Sequence, residues 1–259
     1  MIDLTNSSIV KGNNGFANNF REYNGKIYYC RRSITNYELI ISYIAQYLEI
    51  ECVNYESAII NEQLYIISES FINEKMSFMD GYDIIADYKK MHNINEIYSL
   101  TEEKLNSLCC LSKVLFEKYG IDSYNMMKKL TNIFSFDLIV GYSDRQSPNW
   151  GVIETPRKAV IAPMYDGKWS FNCDNPKLLV SEEDMNKSLD DIIYHFLNTA
   201  SLESINNFEK YYKMLNYNKL ELIISQVSKA HNINYDVNKI LKNFMRRREN
   251  ITKVLKKTM

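Results

Sequence analysis

Three polar residues in the middle of the chain have types and spacing that could do chemistry together. Asp144 and Asn149 stand in the order D-x-x-x-x-N within "GYSDRQSPNWGVI", directly after the apolar run "IFSFDLIVGY", and Asp166 ends the apolar segment "VIAPMYDG". An aspartate can accept the proton of a hydroxyl nucleophile, and amide and carboxylate oxygens suit a hard divalent cation. The pattern predicts Asp144 as a catalytic base and Asn149 and Asp166 as ligands of Mg²⁺ on nucleotide phosphates.

An ordinary turn is the alternative for the first part of this pattern, because Asp and Asn side chains often bond the backbone of turns. The second acidic residue, at the end of an apolar strand and beside a glycine, favours chemistry over a turn. Rarer residue types in the loop support a rigid structure. Gly141 would let the helix end, Pro148 would stiffen the loop, and Trp150 would anchor the hairpin that leads to Asp166.

The surrounding elements predict an α+β fold in two parts. The runs "KIYYCRR", "CVNYESAII" and "QLYIISESF" are rich in β-branched and aromatic residues, and "EYNG" and "IINE" separate them. They predict an antiparallel sheet in the order β, β, α, β, β, interrupted by the helix "NYELIISYIAQYLEI". From about Phe71 onward the apolar spacing is helical, as in "FMDGYDIIADYKKMH", with a β-hairpin around Thr155 and Pro156. We expect a β-rich lobe over 1–72 and a mainly helical lobe over 73–259.

Composition narrows the classes of partner and of chemistry. The chain has 31 basic and 32 acidic residues, so its charge gives no reason to expect a nucleic acid or an anionic membrane. No apolar run approaches the roughly 20 residues of a membrane helix, and the N-terminus does not resemble a signal peptide, so we expect a cytoplasmic protein. The five cysteines have no paired spacing, which favours reduced, buried thiols over a disulfide framework or a zinc site. The chain has only three histidines, none with a neighbouring ligand at metal spacing, so we expect neither histidine catalysis nor a histidine metal site.

The block "FDLIVGYSDRQSPNWGVI" with "AVIAPMYDG" resembles the HipA-like family of bacterial serine/threonine kinases, which show a D-R-H-x-x-N loop and then an A-P-x-x-D strand end. Upstream, "GNNGFANNF", "GKIYYCRRS", "NYELIISYIAQYLEI" and "YIISESF" resemble that family's phosphate loop, ATP-lysine strand, following helix and hinge strand. The similarity in order covers residues 9–175. It implies a protein-kinase-like bilobal fold, with a small antiparallel β N-lobe and a large helical C-lobe, and ATP and Mg²⁺ as cofactors.

The resemblance also implies nucleotide contacts in the N-lobe. Arg31 best occupies the position of the family's ATP-contacting lysine, and Glu38 on the following helix would pair with it. An arginine keeps the charge, yet its planar head is not equivalent to a lysine ammonium. Arg32 and Lys11 are the alternatives for this contact.

The glycine-rich stretch "KGNNGFANNF" could fold over phosphates, because Gly and Asn tolerate the positive φ angles that expose successive amides. A surface hairpin is the alternative for the same stretch. If it is the phosphate loop, its nucleotide-binding residues are Gly12, Asn13, Asn14 and Gly15.

In the C-lobe the resemblance implies that Asp144 is the base, that Asn149 and Asp166 hold the metal, and that Arg145 is part of the loop's scaffold or of the phosphate electrostatics. The chain departs from the family at Gln146, where histidine is usual. Because a glutamine can still hydrogen-bond, we expect this change to tune the loop and not to abolish activity.

The expected function is transfer of the γ-phosphate of ATP to a protein Ser or Thr. Known members of the family imply a toxin that phosphorylates a translation component such as an aminoacyl-tRNA synthetase and that a DNA-binding antitoxin restrains. At this length we expect the extra N-terminal subdomain of longer members to be absent.

Two other functions stay open at this stage. One is a pseudokinase that binds nucleotide or a partner with little transfer, which the Arg31 and Gln146 positions favour. The other is a kinase for a lipid or small molecule. The basic helix "MRRRENITKVLKKTM" is consistent with an acidic or nucleic-acid partner, but a solvated last helix is the more usual meaning of such a run, and we expect no direct nucleic-acid contact.

Overall fold

The computed structural model describes residues 1–10, 19–32, 35–91, 115–142, 144–145, 147–171 and 202–258. Their strands are β1 Ile2–Asp3, β2 Ser8–Val10, β3 Phe20–Tyr23, β4 Lys26–Arg31, β5 Tyr55–Ile60, β6 Gln63–Glu69, β7 Ser77–Asp80, β8 Gly151–Glu154 and β9 Ala159–Ile161. These strands form one six-stranded sheet in the order β1-β5-β6-β4-β3-β2 and one three-stranded sheet in the order β7-β8-β9.

The longest helices frame the C-lobe. The side chain of Asp122 caps the first turn of helix α3, Ser123–Val140, by accepting from the N–H of Tyr124, and Gly141 ends α3 in the left-handed conformation at φ 67°. The role predicted for Gly141 at the helix end is therefore confirmed. The described helices are α1 Tyr37–Tyr47, α2 Gly81–Met91, α3 Ser123–Val140, α4 Leu202–Met214, α5 Tyr217–His231 and α6 Val237–Thr258.

The N-terminal sheet follows the predicted pattern with two additions. Both predicted turns are tight hairpin turns with positive φ, at Asn24 and Gly25 between β3 and β4 and at Asn61 and Glu62 between β5 and β6. The short strands β1 and β2 lie at the two edges, and β1 pairs parallel to β5, so the sheet is not wholly antiparallel. Strands of two and three residues leave almost no periodic signal in the sequence.

Two element boundaries differ from the sequence prediction because distant pairing overrides local pattern. The segment "FMD", predicted as helix, is the end of β7, which pairs with β8 through Met79 and Val152. The strand predicted from Cys52 begins at Tyr55, and Cys52 instead forms an isolated parallel bridge with Met164. The hairpin predicted around Thr155 and Pro156 is confirmed as β8-β9. The predicted helices over "TEEKLNSLCC" and "SEEDMNKSLDDIIYHFL" lie outside the described residues.

The basic helix at the end of the described chain is confirmed as α6, and some of its basic side chains face the protein interior. Arg247 is buried. Arg248 Nη1 donates to the carbonyl oxygen of Leu215 at 2.8 Å and also to that of Tyr212, which satisfies acceptors at the end of α4. Arg248 therefore holds α6 to the end of α4. Among the described residues, no helix is long and apolar enough to span a bilayer.

The two sheets and the helices share one large core that includes α1, α3 and α5, while a smaller cluster covers the other face of the N-terminal sheet. Backbone hydrogen bonds also join the two lobes. The N–H of Val53 donates to Met164 O at 2.8 Å, and the N–H of Met164 donates to Glu51 O at 3.0 Å. The segment that carries Asp166 is thereby fixed to the N-lobe. Burial raises the pKa of the Cys30 thiol to about 11, in keeping with a reduced packing residue.

Candidate active site

The loop after α3 brings Asp144 and Asn149 together. A short 3₁₀ turn, Ser147–Asn149, returns the chain so that Asn149 Nδ2 donates to the backbone oxygen of Asp144 and lies 3.5 Å from its carboxylate Oδ2. The same nitrogen donates to the hydroxyl of Tyr142 at 3.2 Å. With Nδ2 held in this way, Oδ1 of Asn149 is the amide atom that a cation would bind.

Arg145 holds this loop to its surroundings. Its Nε and Nη2 donate to the two carboxylate oxygens of Asp137 on α3, at 2.9 and 3.0 Å. Its Nη1 donates to the carbonyl oxygens of Asn149 and Tyr165, at 2.7 and 2.9 Å. Because Nη1 of Arg145 bonds both carbonyl oxygens, it holds Asn149 at the end of the loop beside Tyr165, the residue that precedes Asp166.

The surroundings of Arg145 make it part of the scaffold and leave it no access to a phosphate. Its side chain is 2% exposed and that of Asp137 is 1% exposed. Burial lowers the pKa of Arg145, but its interactions with Asp137, Tyr142 and Tyr165 together raise that pKa more, so the guanidinium stays protonated. It also lies over the ring of Tyr142, 4.4 Å from the centroid. Of the two functions that the resemblance implied for Arg145, the geometry supports the scaffold.

Asp137 is a residue that sequence reasoning missed. It is the one charge in the apolar run "IFSFDLIVGY", and a buried carboxylate needs a partner. That mismatch between charge and apolar surroundings was a usable signal for a buried ion pair. The sequence could not say that the partner would be Arg145 in the loop.

Asp166 lies where the two lobes meet, and the protein fixes its backbone. Its φ is 58°, in the left-handed region, and its N–H donates to the hydroxyl of Tyr55 on β5 at 2.9 Å. The next residue, Gly167, packs so closely on α1 that a Cβ there would lie 2.9 Å from Ile41 Cγ2. The glycine therefore lets the Asp166 backbone approach the helix that carries Glu38.

Arg31 bridges Glu38 and Asp166. Alternation along β4 turns the Cys30 side chain into the small cluster and Arg31 to the opposite face, toward α1. There Nη2 of Arg31 donates to Oε1 of the fully buried Glu38, and Nη1 donates to Asp166 Oδ1 at 2.8 Å. Burial lowers the pKa of Arg31, but the carboxylates of Glu38 and Asp166 raise that pKa more. The guanidinium is therefore a permanent cation beside Asp166.

The alternatives to Arg31 are less well placed or lie outside the described residues. Arg32 is exposed, with its guanidinium 5.6 Å from the ring centroid of Tyr65. Lys11 and Gln146 fall outside the described residues. So do all four residues of the predicted phosphate loop, Gly12, Asn13, Asn14 and Gly15.

The donor set fits a magnesium nucleotide. Asn149 and Asp166 offer the amide and carboxylate oxygens that Mg²⁺ prefers, and Arg145 holds their segments side by side. Across the described part of the chain, no three His, Cys, Asp or Glu side chains group as a metal site. Mg²⁺ on a nucleotide is typically held by one or two protein ligands together with phosphate oxygens, so two ligands and nearby cations are sufficient.

The sequence matches no protein-family model and no curated protein. Solved structures do match. The chain superposes over 98% of its length on 96% of the Helicobacter pylori proinflammatory kinase CtkA, with a TM-score of 0.70 and 16% identity. It also superposes over 90% of its length on 62% of a chain in the complex of Shewanella oneidensis MR-1 HipA, HipB and operator DNA, with a TM-score of 0.61 and 15% identity.

The chain has the fold of the HipA-like kinases. The predicted bilobal α+β architecture is thereby confirmed. The boundary at residue 72 and the chemical roles of Asp144, Asn149 and Asp166 stay predictions. Within this HipA-like fold, the structure brings Arg31, Glu38 and Asp166 into direct contact and sets Asn149 against Asp144.

Proposed function

We propose that this protein is an ATP- and Mg²⁺-dependent kinase that transfers the γ-phosphoryl group to a serine or threonine hydroxyl of a protein. One observation carries the proposal. Arg31, Glu38 and Asp166 form a continuous chain of ion pairs across the two lobes. The loop that holds Asp144 against Asn149 is tied through Arg145 to the residue before Asp166.

Each residue has a defined task in the proposed reaction. Asp144 accepts the proton of the attacking hydroxyl, and Asn149 and Asp166 would hold Mg²⁺, which would neutralise charge on the phosphates. Arg31, oriented by Glu38, contacts phosphate, and the stretch from Gly12 to Gly15 would cover the nucleotide. Arg145 and Asp137 keep the loop in position. Such a site works mainly by positioning and electrostatics.

The fold also supports a proposal for partners. The Shewanella oneidensis HipA belongs to a toxin-antitoxin system and was solved with HipB and operator DNA. By analogy we propose a protein substrate, such as a translation component of the aminoacyl-tRNA synthetase class, and a cognate antitoxin for this chain.

Transfer of label from ATP tests the proposal. Purified protein is incubated with γ-labelled ATP and Mg²⁺, alone and with a cell extract, beside Asp144→Ala and Asp166→Ala. Glu221→Ala, which removes an exposed carboxylate on α5, is the matched control. We expect labelled protein with the wild type and the control, and a loss of about a hundredfold or more in the two site variants.

The outcomes separate the competing functions. Nucleotide binding without any transfer would favour the pseudokinase. Label found only in lipids or small molecules would favour a kinase for a lipid or small molecule. A wild type that neither binds ATP nor transfers label would contradict a nucleotide-dependent function altogether.

A further inference from the structure

Lys168, two residues after Asp166, occupies a position that neither the sequence pattern nor the fold assigns. Its Nζ lies 3.2 Å from Asp166 Oδ2, while Arg31 Nη1 lies 2.8 Å from Oδ1 of the same carboxylate. Both oxygens of the expected metal ligand are therefore held by protein cations. The cluster contains two carboxylates, of Glu38 and Asp166, and two cations, so its formal charges balance.

The two cations on Asp166 differ in how firmly they are held. Arg31 is fixed at both ends, because Glu38 takes its second nitrogen, and only 16% of its side chain is exposed. Lys168 has 38% of its side chain exposed, and its ammonium sits on a flexible four-carbon stem. If a metal ion takes an oxygen of Asp166, Lys168 is the partner that can leave.

The backbone of Lys168 stays in place when its ammonium moves. Its carbonyl oxygen accepts from the hydroxyl of Thr35, just before α1, at 3.0 Å. Gly167 is packed on Ile41, and the N–H of Ser170 donates to Gly167 O at 3.2 Å. The lysine is thus anchored at the lobe junction with a mobile positive end, which is the arrangement of a phosphate-binding lysine.

We propose that Lys168 supplies the lysine ammonium that β4 lacks at the Arg31 position, as the resting partner of Asp166 that would give way to Mg²⁺ and then bind a phosphate oxygen of the nucleotide. The inference rests on the proposed kinase function. The Lys168 ammonium would be repelled by a divalent ion held at Asp166 and attracted by the negative charge of a nucleotide phosphate. Lys168 and Arg31 would then together make the phosphate contacts that a single lysine makes in a strand of the V-A-I-K type.

This role predicts two effects of opposite sign. Removing the ammonium takes away a competitor for Asp166, so a divalent metal alone should bind more tightly. The same change removes a charge-assisted bond to phosphate, so the nucleotide should bind more weakly. A lysine that only stabilised the local fold would move both affinities in the same direction or leave both unchanged.

Metal and nucleotide affinities of Lys168→Met test the inference without any measurement of activity. Mn²⁺ binding to the protein alone is measured by electron paramagnetic resonance, and ATP binding with Mg²⁺ by calorimetry. The controls are Lys168→Arg, which keeps the charge, and Lys158→Met, which removes an exposed lysine in the β8-β9 turn. Melting temperatures check that each variant is folded.

We expect Lys168→Met to bind Mn²⁺ about threefold or more tightly and ATP about tenfold or more weakly, with Lys168→Arg intermediate and Lys158→Met like the wild type. Unchanged or equally weakened affinities in folded Lys168→Met would overturn the role of Lys168, while ATP binding by the wild type would leave the kinase proposal standing. A wild type that binds no ATP would overturn both.

Discussion

Two arginines, each paired with a carboxylate, lie in the two lobes, and the protein satisfies them to different degrees. Arg145 makes four hydrogen bonds, to Asp137 and to two backbone carbonyls, and its side chain is 2% exposed. Arg31 bonds Glu38 and Asp166 through its terminal nitrogens, while its buried Nε has no partner among the described residues.

The difference separates a structural tie from a binding group. A fully satisfied, fully buried pair has nothing left to offer a ligand, and its removal should be felt as instability. A cation that is partly exposed and incompletely bonded, beside a second mobile cation, can complete its contacts with a phosphate.

Breaking the Asp137 pair should have the largest effect on stability. Asp137→Ala leaves the Arg145 guanidinium buried without its counter-charge, and we expect a loss of about 3–5 kcal/mol in the free energy of unfolding. Urea denaturation measures it. The double variant Asp137→Leu with Arg145→Met should recover much of the loss, since it removes both charges. A loss below about 1 kcal/mol in the single variant would show that the pair is not a structural tie.

The same substitution at the two arginines should give unequal results. Arg145→Lys keeps the charge but cannot reproduce four hydrogen bonds in a fixed fork, so we expect a loss of about 2–3 kcal/mol in unfolding free energy. Arg31→Lys should lose about 1 kcal/mol or less in unfolding free energy and should instead raise the turnover of ATP. Equal losses of stability would remove the distinction between the two pairs. A turnover unaffected by Arg31→Lys would argue against a phosphate contact by Arg31.

Gly167 tests how closely Asp166 depends on α1. Its substitution by alanine pushes a Cβ to 2.9 Å from Ile41 Cγ2, and the Asp166 backbone must also shift. We expect Gly167→Ala to cost about 1 kcal/mol in stability and to weaken ATP binding. Calorimetry with ATP and Mg²⁺ reads the effect on the site. Unimpaired ATP binding by Gly167→Ala would mean that Asp166 does not need this contact.

The smallest expected effect is the pH dependence contributed by His231, which lies away from both arginines. Its Nδ1 is 2.9 Å from Ser57 Oγ, and burial, followed by the N-terminal amino group, lowers the pKa of the imidazole below 6.5. The unfolded chain therefore binds the proton more readily, so stability falls as the pH drops through about 6.5.

His231→Gln should flatten this part of the curve by no more than about 1.4 kcal/mol per pH unit, the limit for one proton. Denaturation midpoints of both proteins between pH 7.5 and pH 5.5 provide the measurement. Parallel curves for the wild type and the variant would rule out the contribution of His231.

Sequence reasoning was strongest where local chemistry decides the structure. The Asn24-Gly25 turn, the end of α3 at Gly141 and the β8-β9 hairpin all follow from residue types at fixed offsets. The resemblance named Arg31 and Glu38 as a pair, and alternation along β4 explains why Arg31 and not Arg32 faces α1.

What the sequence did not give depends on contacts between distant segments. The apolar spacing around "FMD" predicts a helix, but these residues form the end of β7 because they pair with β8, which lies far along the chain. The Cys52-Met164 bridge and the Asp137-Arg145 pair have no local signal that names both partners. The contact of Lys168 with Asp166 is close in sequence, but only the geometry shows that Arg31 holds the other carboxylate oxygen.

The role of Asp144 as the base is tested most directly by the rate of phosphoryl transfer in a single turnover by Asp144→Asn, measured beside its affinity for ATP with Mg²⁺. The substitution keeps the shape of the side chain and removes its ability to accept a proton. We expect an affinity within about threefold of the wild type and a transfer rate lower by about a hundredfold or more. Transfer at the wild-type rate would contradict Asp144 as the base and with it the proposed mechanism.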